Sequence, residues 1–212
     1  MEMIPANIKN IIFDFGAVVY DIDADRTIEA FKALNVSNFD SFQAFMSEHT
    51  NENLFISIET GTISPEEFHE NVRSWTKYAL TDKAIDFAWN AMLIGYNKER
   101  LDLLCELKTQ YRTFLLSNTN IIHWHYFTKQ LQEYGFTGLH ELFEKDYYSH
   151  ILGMRKPDLE IFKFVLKDSN LIANETLFLD DNLLNIQAAR MLGIPSIQIT
   201  PELDLLTVFG KV

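Results

Sequence analysis

The chain has 212 residues, 47% of them apolar and 23% charged, and a formal net charge of −12. At roughly 150 residues per domain this length makes one domain with an insertion or two small ones, and the composition excludes a disordered or fibrous chain. The acidic balance without a basic cluster argues against nucleic acid or an anionic membrane as a partner. No apolar stretch is long enough for a membrane span, Cys105 is the only cysteine, and the first residues lack a signal-peptide pattern, so a cytoplasmic protein is expected.

The first element is the short apolar run Ile11-Ile12-Phe13, which predicts a buried strand of a parallel sheet and ends on Asp14. Gly16 follows two residues on, where a bare backbone can turn and approach a ligand closely. From residue 23 to residue 96 the texture is helical. Ile28, Phe31 and Leu34 share one helical face, and Asn38 is a candidate cap for a helix carrying Phe39, Phe42, Phe45 and Met46. Ser64, Pro65 and Glu67 have the spacing of a helix start, and a fourth helix is expected from Thr81 through Trp89. No strand is predicted in this stretch. It reads as a four-helix insertion, hinged at both ends, whose many aromatics form a small core.

Beyond Lys98 helix and strand alternate. A helix over Leu101 to Leu107 precedes a strand, Thr113 to Leu116, that ends at Ser117. A helix from Ile122 to Tyr134 leads to a short strand, Tyr147 to Ser149, and to the loop Gly153-Met154-Arg155-Lys156-Pro157. Pro157 fits the start of a helix over Asp158 to Leu166; the next strand, Thr176 to Leu179, runs into Asp180-Asp181. A helix from Leu184 closes at Gly193, and Ser196 to Ile199 is a last strand. The expected fold is α/β: a Rossmann-like parallel sheet core of residues 1–22 and 97–212, with a helical cap of residues 23–96 inserted after the first strand.

In an open sheet of this kind ligands sit beyond the carboxyl ends of the strands. Four polar groups fall there: Asp14, Ser117-Asn118, Lys156 and Asp180-Asp181. Each has a plain structural reading, as a cap, a turn or a solvated lysine; the argument rests on the set. Carboxylates from two strands suit Mg2+, which takes a few carboxylates, waters and substrate phosphate oxygens. Ser117 and the backbone N–H groups after it can cradle phosphate, Lys156 supplies positive charge, and Asp14 is free to attack phosphorus and form an aspartyl phosphate.

With these residues in view, the chain resembles the haloacid-dehalogenase-like hydrolase superfamily over essentially its whole length. The resemblance lies in Phe13-Asp14-Phe15-Gly16, in Phe114 to Asn118, in Lys156 within Gly153 to Asp158, and in Phe178 to Asn182. Within the family, the run Leu116 to Asn120 with His123, and Gly153 to Pro157, is most similar to bacterial sugar phosphatases acting on α-glucose 1-phosphate. The resemblance implies a Mg2+-dependent phosphatase of a small phosphorylated metabolite. Asp14 is then the nucleophile. The metal is held by the Asp14 carboxylate, the Gly16 carbonyl and Asp181, with Asp180 beside it. Ser117, Asn118 and Lys156 bind the transferring phosphate.

One position departs from the family pattern. Most of its phosphatases carry a second aspartate, the general acid, two residues after the nucleophile; here that position is Gly16. A general acid contributes about 10²–10⁴-fold in rate. His123 or a residue of the insertion could replace it, although the plainer reading of His123 is a partly buried packing residue. Alternatively the substrate has a leaving group that needs little protonation, such as the anomeric oxygen of a sugar 1-phosphate. Two other functions compete. A 2-haloacid dehalogenase also attacks with an aspartate and lacks the second one, but has no use for Asp180-Asp181. A catalytically weak phosphate-binding protein has no use for the nucleophile.

Overall fold

A computed structural model describes residues 4–35, 54–76 and 79–210. Five parallel strands form one sheet in the order β5-β4-β1-β6-β7: β1 (Asn10–Phe13), β4 (Arg112–Ser117), β5 (Lys145–Tyr148), β6 (Thr176–Asp180) and β7 (Ser196–Gln198). The chain leaves the central β1 for β4 and β5 on one side, then crosses back to β6 and β7 on the other. The topological reversal, where such sheets bind ligands, therefore falls at the carboxyl end of β1.

Both faces of the sheet are covered, and the side chains of the central strands alternate between them. Ile11, Phe13, Leu115, Leu177 and Leu179 join one buried cluster, while Ile12, Phe114, Leu116 and Phe178 join the other. This is why the central strands read as continuous apolar runs. Packed against the sheet are α5 (Lys98–Leu107), α6 (Ile121–Leu131), α8 (Leu159–Asp168) and α9 (Leu183–Met191), with the short α7 (Ser149–Leu152) and α10 (Leu205–Val208).

A second, two-stranded antiparallel sheet pairs β2 (Tyr20–Ile22) with β3 (Leu93–Tyr96). Between these strands the chain forms α1 (Ala24–Ala33), α2 (Leu54–Glu59), α3 (Pro65–Ser74) and α4 (Asp82–Asn90). Strand β3 corrects the expectation that residues 23–96 hold no strand. Its signal is broken by Gly95, at φ 155°, and by an irregular register opposite Asp21 and Ile22, so the alternation that marks a strand is absent.

The other helix boundaries in the insertion follow the expected capping chemistry. Ser64 and Glu67 make a reciprocal capping box with Pro65 in the first turn, and Thr81 caps α4. The helix expected after Asn38 lies outside the described residues. Pro157 does not open a helix: the Lys156–Pro157 peptide is cis and α8 begins at Leu159, after Asp158. Ser149 belongs to α7 and not to the strand before it.

The insertion has its own core of Phe31, Leu54, Ile58, Phe68, Val72, Ile85 and Trp89, and Ile122 of α6 is part of it. His123 is buried at the same seam. Its ring stacks on Trp89 with centroids 5.0 Å apart, and its Nε2–H donates to the Trp89 carbonyl at 3.1 Å. The Trp89 indole donates to Asn120 at 3.3 Å, and Asn120 also caps α6. The inserted helices are therefore joined to the layer over the main sheet along α6 as well as through the two-stranded sheet.

Candidate active site

Strands β1 and β6 run in register, with Phe13 opposite Leu179, so Asp14 and Asp180 stand next to each other where the strands end. The Asp14 N–H donates to the Leu179 carbonyl at 2.8 Å and holds that alignment past the strand. Side-chain alternation sends both carboxylates to the face occupied by Ile12 and Phe178. Two adjacent buried acids repel each other, and the fold places a cation between them. Lys156 Nζ donates to Asp14 Oδ1 at 2.6 Å and to Asp180 Oδ2 at 2.7 Å, and lies 5.5 Å from the centre of the Phe178 ring. Lys156 is 1% exposed.

The charges of this cluster are strongly perturbed. Burial pulls the Lys156 ammonium down, but Asp14 and Asp180 outweigh it and hold its pKa above the ordinary value. Asp14 moves the other way: burial pushes its carboxyl up to about 7, opposed by Lys156 and reinforced by Asp180 and Asp181. One lysine does not compensate three carboxylates. Asp14, Asp180 and Asp181 bring ligand oxygens within 4.8 Å of one another, an all-oxygen donor set that fits a hard divalent cation.

Within that set the acids have different surroundings. Asp180 is saturated by protein donors. Beyond Lys156 it accepts from the Asn182 N–H at 2.8 Å and from Asn185 Nδ2 at 2.9 and 3.1 Å. Asp181 is exposed at the rim, with its pKa raised by shielding first and by the Asp180 charge second, and its carbonyl accepts from Gln198 Nε2 at 2.9 Å.

Ser117 is buried at the end of β4, and the chain beyond it is stitched to its neighbours. The Thr119 N–H donates to Ser149 Oγ at 2.9 Å, and that hydroxyl donates back to the Thr119 carbonyl at 3.0 Å. Asn118 makes a reciprocal pair with the main chain of Lys156: its Nδ2 donates to the Lys156 carbonyl at 2.8 Å and its Oδ1 accepts from the Lys156 N–H at 2.9 Å. The Asn118 side chain is thus committed to holding the lysine.

Gly16 starts a tight turn in which the Ala17 N–H donates to the Tyr20 carbonyl at 2.8 Å. Left-handed backbone falls on Ala17, at φ 58°, and not on Gly16. A Cβ at Gly16 would meet the flexible end of Ile22, at 3.2 Å, so a small side chain fits once that methyl yields slightly. His123 does not fill the role left open there. It is buried, and burial pulls its pKa down to about 4, so it is a neutral ring at pH near 7.

The structure thus brings Asp14, Lys156, Asp180 and Asp181 together, with Asn118 behind the lysine. Sequence reasoning missed Asn185, Gln198 and Glu59, and it quoted Phe178 and Arg155 without their contacts: Phe178 lies under the Lys156 ammonium, and Arg155 Nη2 donates to Glu59 Oε2 at 2.9 Å. Asn185 left a signal of its own: a polar residue on the buried side of α9, one turn after the paired aspartates.

The fold and these motifs agree with those of known proteins. The sequence profile of haloacid dehalogenase-like hydrolases matches residues 8–193. A D-ribitol-5-phosphate phosphatase of Bacteroides thetaiotaomicron is 34% identical over 90% of this chain and 91% of its own length. A sesquiterpene phosphatase of Aspergillus oryzae is 27% identical over 92% and 91%. A crystal structure of a haloacid dehalogenase (HAD) family enzyme from Bacteroides thetaiotaomicron, complexed with magnesium and inorganic phosphate, superposes with a TM-score of 0.87 at 35% identity, covering 95% of this chain and 99% of the other. The chain belongs to the haloacid dehalogenase-like hydrolase family.

Removing the central cation exposes the electrostatics directly. Lys156→Met keeps the bulk and leaves Asp14 and Asp180 uncompensated; the expected loss in metal-free buffer is about 3–5 kcal/mol, measured by denaturant unfolding near pH 8. The loss should shrink as pH falls towards about 7, because Asp14 without the lysine that holds its pKa down takes up its proton above that value. A loss independent of pH would mean that the lysine acts by packing alone.

Proposed function

We propose that this protein is a Mg2+-dependent phosphatase that hydrolyses a small phosphorylated metabolite, a sugar or polyol phosphate, through an aspartyl-phosphate intermediate. The observation that carries the reading is the Asp14–Lys156–Asp180 contact at the sheet's ligand-binding edge, with Asp181 completing an oxygen donor set. A dehalogenase gains nothing from those extra acids beside a carboxylate substrate. Two similar phosphatases of nearly the same length support the choice.

Asp14, the Gly16 carbonyl and Asp181 would hold the metal, and Asp180, already occupied, serves to fix Lys156. Bound there, Mg2+ supplies charge neutralisation for the phosphate and for the crowded acids. Lys156 faces the transferring phosphoryl group with Ser117, while Asn118 keeps the lysine in place. One Asp14 oxygen attacks phosphorus, the bond from phosphorus to the ester oxygen breaks, and the leaving oxygen takes a proton. Water then attacks phosphorus, releasing orthophosphate and restoring the carboxylate. Residues 23–96 act as a cap that covers this site and contributes substrate contacts. The D-ribitol 5-phosphate named for the first relative is an ester of a primary alcohol, which favours polyol phosphates over the anomeric phosphates expected from sequence.

Two outcomes test the reading. Asp14 holds its proton up to about 7 in the folded protein, whereas the unfolded chain releases it near 4. Between those values rising pH costs stability through this group, and a cation taking the proton's place recovers it. Mg2+ should therefore raise the thermal midpoint more near pH 8 than near pH 6. An equal rise at both would detach the metal from Asp14.

The second outcome concerns the leaving group. With glycine at position 16 and a neutral, buried His123, kcat/KM across phosphate esters should climb steeply as the leaving-group pKa falls. Gly16→Asp, which the backbone tolerates, should flatten the slope. A flat slope in the wild type would mean that another residue supplies the proton.

A further inference from the structure

Lys156 sits in a loop held from two sides. On the sheet side Asn118 grips its main chain, as described. On the other side Arg155, the residue before it, reaches out of the sheet domain to Glu59, the last residue of α2 in the insertion. Glu59 is 6% exposed, and it lies close enough to Lys156 to feel that charge. Burial raises its carboxyl pKa, against the pull of Arg155 first and Lys156 after it.

The backbone beside this pair is equally tight. Gly61, two residues beyond Glu59 and at φ 66°, abuts α7: a Cβ there would stand 2.3 Å from the His150 carbonyl oxygen. The insertion and the sheet domain therefore meet at van der Waals contact where Glu59 crosses.

A buried ion pair is a poor stabiliser. Desolvation costs several kcal/mol per ion, and apolar replacements of the same volume are often neutral or better. What this half-buried pair supplies is position, because the Glu59 carboxylate is shielded from water while the Arg155 side chain, 26% exposed, reaches it from the other part of the fold. Here the two partners come from the two parts that must meet to enclose a substrate. One of them is covalently next to the lysine that neutralises the nucleophile and, on the reading above, the phosphate.

We propose that Glu59 is a positioning residue: through Arg155 it fixes the Gly153–Pro157 loop, and so sets the Lys156 ammonium between Asp14 and Asp180 when the insertion is docked. This rests on the phosphatase reading and adds a coupling to it, in which docking of the helical unit and assembly of the charge clamp are one event.

The test uses the whole protein with p-nitrophenyl phosphate, whose leaving group needs no proton, and calorimetric titration with inorganic phosphate in Mg2+. Glu59→Gln and Arg155→Gln should each lose roughly tenfold to a hundredfold in kcat, the scale of a catalytic group misplaced by about 1 Å. Phosphate affinity should weaken alongside. The double variant should lose no more than either single one, since both break the same contact. Arg155→Lys should recover most of the loss. Glu59→Asp, with charge kept and reach shortened, gives the same signature if the amide variant fails to fold.

Unchanged kcat and phosphate affinity in the single variants would overturn the proposal, whatever happens to the thermal midpoint. So would additive losses in the double variant, or a loss confined to esters with poor leaving groups, which would make Glu59 a proton donor. A wild type that neither hydrolyses p-nitrophenyl phosphate nor binds phosphate rejects the phosphatase reading itself, and the positioning role falls with it.

Discussion

Two in-register parallel strands put Asp14 and Asp180 side by side on the same face of the sheet, and the structure at this edge is organised to tolerate that repulsion. Lys156 lies between them, 1% exposed, within 2.6 and 2.7 Å of one oxygen of each. Its ammonium is enclosed by Phe178, by the two acids and by a main chain that Asn118 holds at both its N–H and its carbonyl. The charge problem is only half solved by this arrangement, since Asp14 remains pushed up to about 7. That residual imbalance is a demand for further positive charge, which a divalent cation would meet.

The same frustration explains the division of labour among the acids. Asp180 has donors on every side and holds the lysine. Asp181, one residue on, is turned to the rim and oriented through its own carbonyl by Gln198. Asp14 carries the largest shift of the three and stands where the chain leaves β1 for the Gly16 turn. A single sheet edge thus separates an acid held by protein donors, a rim acid and a strongly perturbed acid by their surroundings, not by their chemistry.

Much of this was legible in the sequence because it depends on local rules. Apolar runs ending in Asp14, Ser117 and Asp180 marked the strand ends, and the Ser64-Pro65-Glu67 cap marked a helix start. What escaped depended on contacts between distant residues. Strand β3 is defined by its pairing with Tyr20–Ile22, across a bulge and a glycine that erase the alternation. The commitment of Asn118 to the Lys156 main chain is invisible without the loop geometry, and so is the link from Glu59 to Arg155 across 96 residues. His123 read as a packing residue or a stand-in acid. Its stacking on Trp89 and its lowered pKa leave the packing role.

The account stands on Asp14 being the atom donor to phosphorus, and that is measurable without knowing the physiological substrate. Wild-type protein is mixed with p-nitrophenyl phosphate and Mg2+, quenched in acid within the first turnover, digested and analysed by mass spectrometry. A phosphoryl group on the peptide containing Asp14, absent when the metal is chelated and absent in Asp14→Asn, is the predicted result. Release of phosphate with no phosphorylated Asp14 peptide at any quench time, together with turnover surviving in Asp14→Asn, would contradict it.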